Sequence, residues 1–63
     1  MRVKLKVAII EAGLTQREVA KRIGMHDTKL SAIINEYRLP SEDEQRAIAK
    51  VLRKPVGDLF HAA

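Results

Sequence analysis

Residues 16–35, QREVAKRIGMHDTKLSAIIN, constrain this chain more than any other stretch. Two short amphipathic segments, residues 16–23 and 26–35, meet around a single glycine, Gly24. Apolar side chains recur at Val19, Ala20, Ile23, Met25, Leu30 and Ile33. That spacing predicts two helices crossing at a tight turn, their inner faces locked together. Ala20 is small where the crossing is close, Gly24 relieves the strained backbone of the turn, and Met25 is expected as its buried pivot.

The flanking sequence supplies the rest of a helical fold. Leu5, Ala8, Ile9 and Ala12 share one face of a helix over residues 4–12, and Gly13 stops it. Residues 1–7 also alternate apolar and basic, so residues 1–3 remain open between helix and extended chain. Thr15 and Glu18 form a capping box that opens the second helix. The third helix starts at His26 or Asp27 and turns Leu30, Ile33 and Ile34 inward. Pro40 forces a loop over residues 37–40. Ser41 and Glu44 form a second capping box, and Glu42 and Asp43 suit the positive end of the fourth helix. That helix runs to Leu52 or Arg53 with Ala47, Ile48, Val51 and Leu52 inward. Pro55 opens a short fifth helix whose Leu59 and Phe60 close the core. The expectation is an all-α single domain spanning residues 1–63.

Composition narrows the function. With no Cys and no Trp, one Tyr and one Phe, the chain has no disulfide and no thiolate for zinc, and its core must be aliphatic. Twelve Lys and Arg against eight Asp and Glu leave a net charge of +4, which suits a polyanionic partner. The apolar run 7–10 is too short for a signal peptide, and no stretch can span a membrane, so a cytoplasmic location is the default. His26 and His61 lie far apart, with His61 expected in a frayed tail. The acidic run 42–44 is explained by a helix start. No catalytic set, metal site, cofactor or small-molecule site is expected.

The paired segments have the pattern of a helix-turn-helix, in which the second helix enters the major groove of DNA. At this point the chain resembles the phage repressor/Cro-type helix-turn-helix family, also called the Xre family. The resemblance spans about residues 5–60. It rests on GLTQ at 13–16, EVAKRIGM at 18–25, Pro40-Ser41, IAKVL at 48–52 and DLF at 58–60. It implies a compact five-helix lambda-repressor-like fold and a transcriptional regulator that binds operator DNA as a homodimer.

The resemblance also implies roles. Gln16 would contact a phosphate through its side chain and helix N-terminus. Asp27, Thr28 and Ala32 take positions that face base edges, and Lys29 and Ser31 flank them as further candidates that reach either base or phosphate. Asn35 and Arg38 follow the recognition helix, where phosphates are met. Phosphate neutralisation is expected from Arg17, Lys21, Lys29 and Arg38, with Arg2 and Lys4 at the N-terminus; a solvated outer face is the other reading of Arg17, Lys21 and Arg22. The dimer contact falls within residues 53–60.

Four departures from the family pattern matter. Glu36 replaces the glycine that usually ends the third helix, so an altered ending is expected. Asp27 is acidic where Gln or Arg is usual; it either accepts from a cytosine amino group or caps the helix. His26 replaces the usual Ser or Thr cap and is expected as a surface or capping residue. Ile9 and Ile34 replace an Arg–Glu pair, so an apolar contact is expected in its place. A second apolar stripe, Val3, Val7 and Ile10, either packs on Leu59 and Phe60, which is preferred, or meets a partner. The rival function is an antitoxin or co-regulator that uses the fold to hold a protein.

Overall fold

A computed structural model describes residues 1–60 as five helices: α1 Val3–Glu11, α2 Gln16–Arg22, α3 Asp27–Ile34, α4 Glu42–Leu52 and α5 Val56–Phe60. No strand is present among the described residues. Met1 and Arg2 precede α1, so only residue 3 of the ambiguous first three is helical. The expected frayed tail with His61 lies outside the described residues. None of the described helices is long and apolar enough to cross a membrane.

α2 and α4 start where their caps dictate. Thr15 Oγ1 accepts the Glu18 N–H at 3.1 Å, and Glu18 Oε1 accepts the Thr15 N–H at 3.0 Å. Ser41 and Glu44 repeat this at 3.1 and 2.9 Å. Each box satisfies two N–H groups that the helix itself leaves unpaired.

The first four helices end in one shared motif. A residue of positive φ follows each: Gly13 at 71°, Gly24 at 69°, Glu36 at 66° and Arg53 at 57°. The N–H of that residue reaches back three residues, and the next N–H reaches back five. For Gly24 these bonds are Gly24 N–H to Lys21 O at 3.3 Å and Met25 N–H to Ala20 O at 2.9 Å. For Glu36 they are Glu36 N–H to Ile33 O at 3.2 Å and Tyr37 N–H to Ala32 O at 2.9 Å. These are Schellman endings, which satisfy the last helical carbonyls. The altered ending expected at Glu36 is therefore corrected: the glycine-type ending is kept, with a non-glycine residue held in a left-handed conformation.

The α3 ending is also held from a distance. The Arg2 N–H donates to Ile34 O at 2.6 Å, Arg2 Nε donates to Ile33 O at 3.0 Å, and the N-terminal ammonium of Met1 meets Glu36 Oε2 at 2.8 Å. The Arg2 guanidinium also lies 6.0 Å from the centre of the Phe60 ring. The chain start thus ties the end of α3 to α5.

The core is aliphatic, as composition requires. Leu5, Ala8 and Ile9 of α1, Val19 and Ala20 of α2, Leu30, Ile33 and Ile34 of α3, Ile48, Ala49 and Leu52 of α4, and Leu59 of α5 are all buried in one cluster. Fully burying such an aliphatic side chain is worth roughly 1.5–3 kcal/mol. Ile9 and Ile34 are both in this cluster, and α1 packs on α3, so apolar packing stands where the family pattern has an ion pair.

Four packing expectations need correction. Ala12, expected on the core face of α1, is exposed and lies beyond the helix end at Glu11. Met25 and Ile23 are half-buried, because they sit at the open rim of the turn. On α4, Ala49 rather than Ala47 or Val51 joins Ile48 and Leu52 in the buried line. Val3, Val7 and Ile10 stay exposed, at 58, 43 and 64%. At about 100° per residue they lie opposite Leu5, Ala8 and Ile9, so α5 cannot cover them while α1 buries its other face. Val3 and Val7 only border the groove that leads to Leu59.

Candidate nucleic-acid interface

α3 has a buried line and a solvent line. Leu30, Ile33 and Ile34 are buried. Thr28, Ala32 and Asn35, spaced i, i+4, i+7, fall roughly opposite at about 100° per residue. Thr28 and Asn35 are exposed, and Ala32 is half-buried. Small residues leave this face unobstructed. Asn35 Nδ2 donates to Ser31 Oγ at 3.4 Å, so two of the expected contact residues form one polar pair along the helix. Asp27 and Ser31 lie to one side of the line. Lys29 lies on the other side, towards α4.

α2 frames the start of this face. Gln16 Nε2 donates to the Asp27 carbonyl at 3.2 Å, which joins the first turns of α2 and α3. One of the two amide hydrogens of Gln16 is thus engaged within the protein, and the other is left for a phosphate. Arg17, Lys21, His26 and Asp27 border one shallow cleft between α2 and α3, so Arg17 and Asp27 belong to the same surface.

His26 occupies the N-cap position of α3, but its side chain makes no capping bond. Asp27 follows as the first helical residue and is exposed, and its carboxylate has no hydrogen-bond partner among the described residues. Neither residue is a side-chain cap. What remains for Asp27 is charge at the positive end of α3 and an open carboxylate beside the reading face.

Two expected phosphate cations are committed elsewhere. Lys29 Nζ pairs with Glu44 Oε2 at the start of α4. Arg2 is engaged by the end of α3 and by Phe60. Among the described residues, Arg17 and Arg38 are exposed with no carboxylate within 4.0 Å, as are Lys4 and Lys21, although Arg38 is near enough to Glu44 to help lower it. Arg38 projects from the loop after α3 between Tyr37 and Leu39, which are 87 and 83% exposed.

Local hydrogen bonds set the carboxylate charges. The Lys29 ammonium, and then the Ser41 N–H, hold Glu44 below the ordinary glutamate value of 4.5. The Thr15 N–H lowers Glu18, and the N-terminal ammonium lowers Glu36. Glu44 was assigned only a capping role from sequence. Its hold on Lys29 joins residues fifteen apart across two helices, and no periodicity signals it.

A helix-turn-helix family model matches residues 5–59, nearly all of the described chain. No curated protein and no solved structure matches it. The matched segment runs from the first core residue of α1 to the core leucine of α5 and contains the whole α2–α3 surface just described. The family is regulatory rather than enzymatic. This chain belongs to the Cro/C1-type helix-turn-helix family and is a DNA-binding transcription regulator.

Proposed function

We propose that this protein binds operator DNA as a homodimer of the Cro/repressor type, with α3 of each copy in the major groove. The observation that carries this reading is the unobstructed Thr28–Ala32–Asn35 line on a helix whose other side is fully buried. Thr28 and Ser31 supply hydroxyls to base edges, the Ala32 methyl suits a thymine methyl, and Asp27 accepts from a cytosine amino group. Gln16, Arg17, Asn35 and Arg38 hold the phosphates on either side and set the register.

A second copy follows from size. α3 has eight residues, which is about 12 Å of helix. That length reads three to four base pairs at ~3.4 Å each. Each good base contact discriminates by about 1–3 kcal/mol, too little from one short helix for a unique site. Two copies on a palindrome double the reading, and residues 53–60 are the proposed contact between them.

Selection of bound sequences from random duplex DNA, followed by a salt titration, tests the reading. A palindrome with steep salt dependence supports it, and flat enrichment refutes it. Sedimentation tests the dimer separately. A monomer both at high concentration and on the palindrome would remove the homodimer from the proposal.

A further inference from the structure

α3 carries a single basic side chain, Lys29, and that side chain is held away from the reading face. Its ammonium pairs with Glu44 Oε2, and the two side chains are only 35 and 20% exposed. The acceptor is formed in advance. Glu44 Oε1 already takes the Ser41 N–H at 2.9 Å, and the Glu44 N–H already donates to Ser41 Oγ at 3.1 Å. The cap of α4 therefore fixes the carboxylate, and Lys29 reaches across to it. Around α3, Lys29 lies roughly 90° from the Thr28–Ala32–Asn35 line, on the α4 side.

We propose that Glu44 is a positioning residue that withdraws the only cation of the recognition helix from the phosphate backbone and so lowers sequence-independent affinity. The inference rests on the DNA reading above. Phosphate neutralisation raises affinity for every sequence alike, and base contacts raise it for one. A lysine loose on α3, at right angles to the reading line, would meet phosphates first and so add to the first kind of binding. Tied to Glu44 it adds to neither, so affinity for DNA of any sequence is held down and the ratio set by the base contacts is untouched. The same pair braces α3 against α4, which keeps the reading face at a fixed angle.

The conservative variant Glu44→Gln separates charge from cap, because glutamine also serves in a capping box. A thermal melt shows that it folds. Binding to the selected palindrome and to a random-sequence duplex is then measured from low to moderate salt. The expected result is a log K against log salt slope steeper by about 0.9 per domain on both duplexes, the increment for one added phosphate contact. Affinity for both duplexes rises by the same factor, and their ratio stays that of the parent. In Lys29→Ala/Glu44→Gln the slope returns to that of the parent. An unchanged slope in Glu44→Gln overturns the inference, as does a steeper slope that persists in the double variant. Additive shifts in melting temperature for Lys29→Ala and Glu44→Gln, measured without DNA, also overturn it, since the pair would then not exist. Failure of the parent chain to bind any duplex would instead refute the DNA reading, and this inference with it.

Discussion

Ile34 is the sharpest test of how this small core is built. It is 2% exposed and packs in a cluster with Ile9, Leu5, Leu30 and Ile33, at the point where α1 and α3 meet. Ile34→Val removes one methyl group and should cost about 0.5–1.5 kcal/mol. For a domain of this size that shifts the melting temperature by about 4–8 °C per kcal/mol. Ile34→Ala should cost about 2–5 kcal/mol. A core this small rarely supplies more than about 3–5 kcal/mol, so the alanine variant should be largely unfolded at 37 °C. Ile34→Glu loses the apolar burial and adds an unpaired buried charge, itself worth about 3–5 kcal/mol of destabilisation. It should not fold at neutral pH. Ile9→Arg/Ile34→Glu restores the ion pair of the family pattern and should recover part of that loss. Urea and thermal unfolding followed by circular dichroism measure all four variants. If Ile34→Glu melts within a few degrees of the parent chain, the packing of Ile34 between α1 and α3 is wrong.

Three further outcomes are expected. Arg53 stands at φ 57°, where a side chain costs about 1–2 kcal/mol that glycine avoids. Arg53→Gly should therefore stabilise the fold by about 0.5–1 kcal/mol after the extra chain entropy of glycine, and a lower melting temperature would count against the left-handed ending. The folded values of Glu18, Glu36 and Glu44 lie below 4.5, so the stability they contribute is present above that pH and is lost as pH falls through their lowered values. Melting temperatures should drop on acidification below pH 4.5, and a flat profile there would contradict the three assignments. On DNA, Thr28→Ala should relax base preference at one position of each half-site, whereas Arg38→Ala should weaken all sequences about equally and flatten the salt slope by about one per domain. The reverse pattern would exchange their roles.

The legible parts of the fold are those decided within one turn of chain. Thr15–Glu18 and Ser41–Glu44 cap by hydrogen bonds between residues three apart, so their sequence spacing is their geometry. Gly13 and Gly24 mark endings because glycine enters the left-handed region without strain. Glu36 and Arg53 adopt the same conformation with no such mark. The Schellman bonds and packing around them override the preference of a single residue.

The candidate site divides in the same way. The periodicity of Leu30, Ile33 and Ile34 was enough to place Thr28, Ala32 and Asn35 outward, because one buried line fixes the opposite line on a helix. It did not show that Lys29 leans to α4, or that Arg2 is spent on the end of α3. Both are long, flexible side chains whose partners lie fifteen and more than thirty residues away. A lysine or arginine reaches whichever acceptor the fold brings near.

By itself, then, the sequence determined the all-helical fold, the capped starts of α2 and α4, the glycine stops and the facing of the paired segments at 16–35, because these depend on local hydrogen bonds and on helical period. The tertiary structure decided which cations remain free for phosphate, how α3 ends at Glu36, and that Val3, Val7 and Ile10 stay in solvent. Those outcomes depend on which helices become neighbours, and only the packed core sets that.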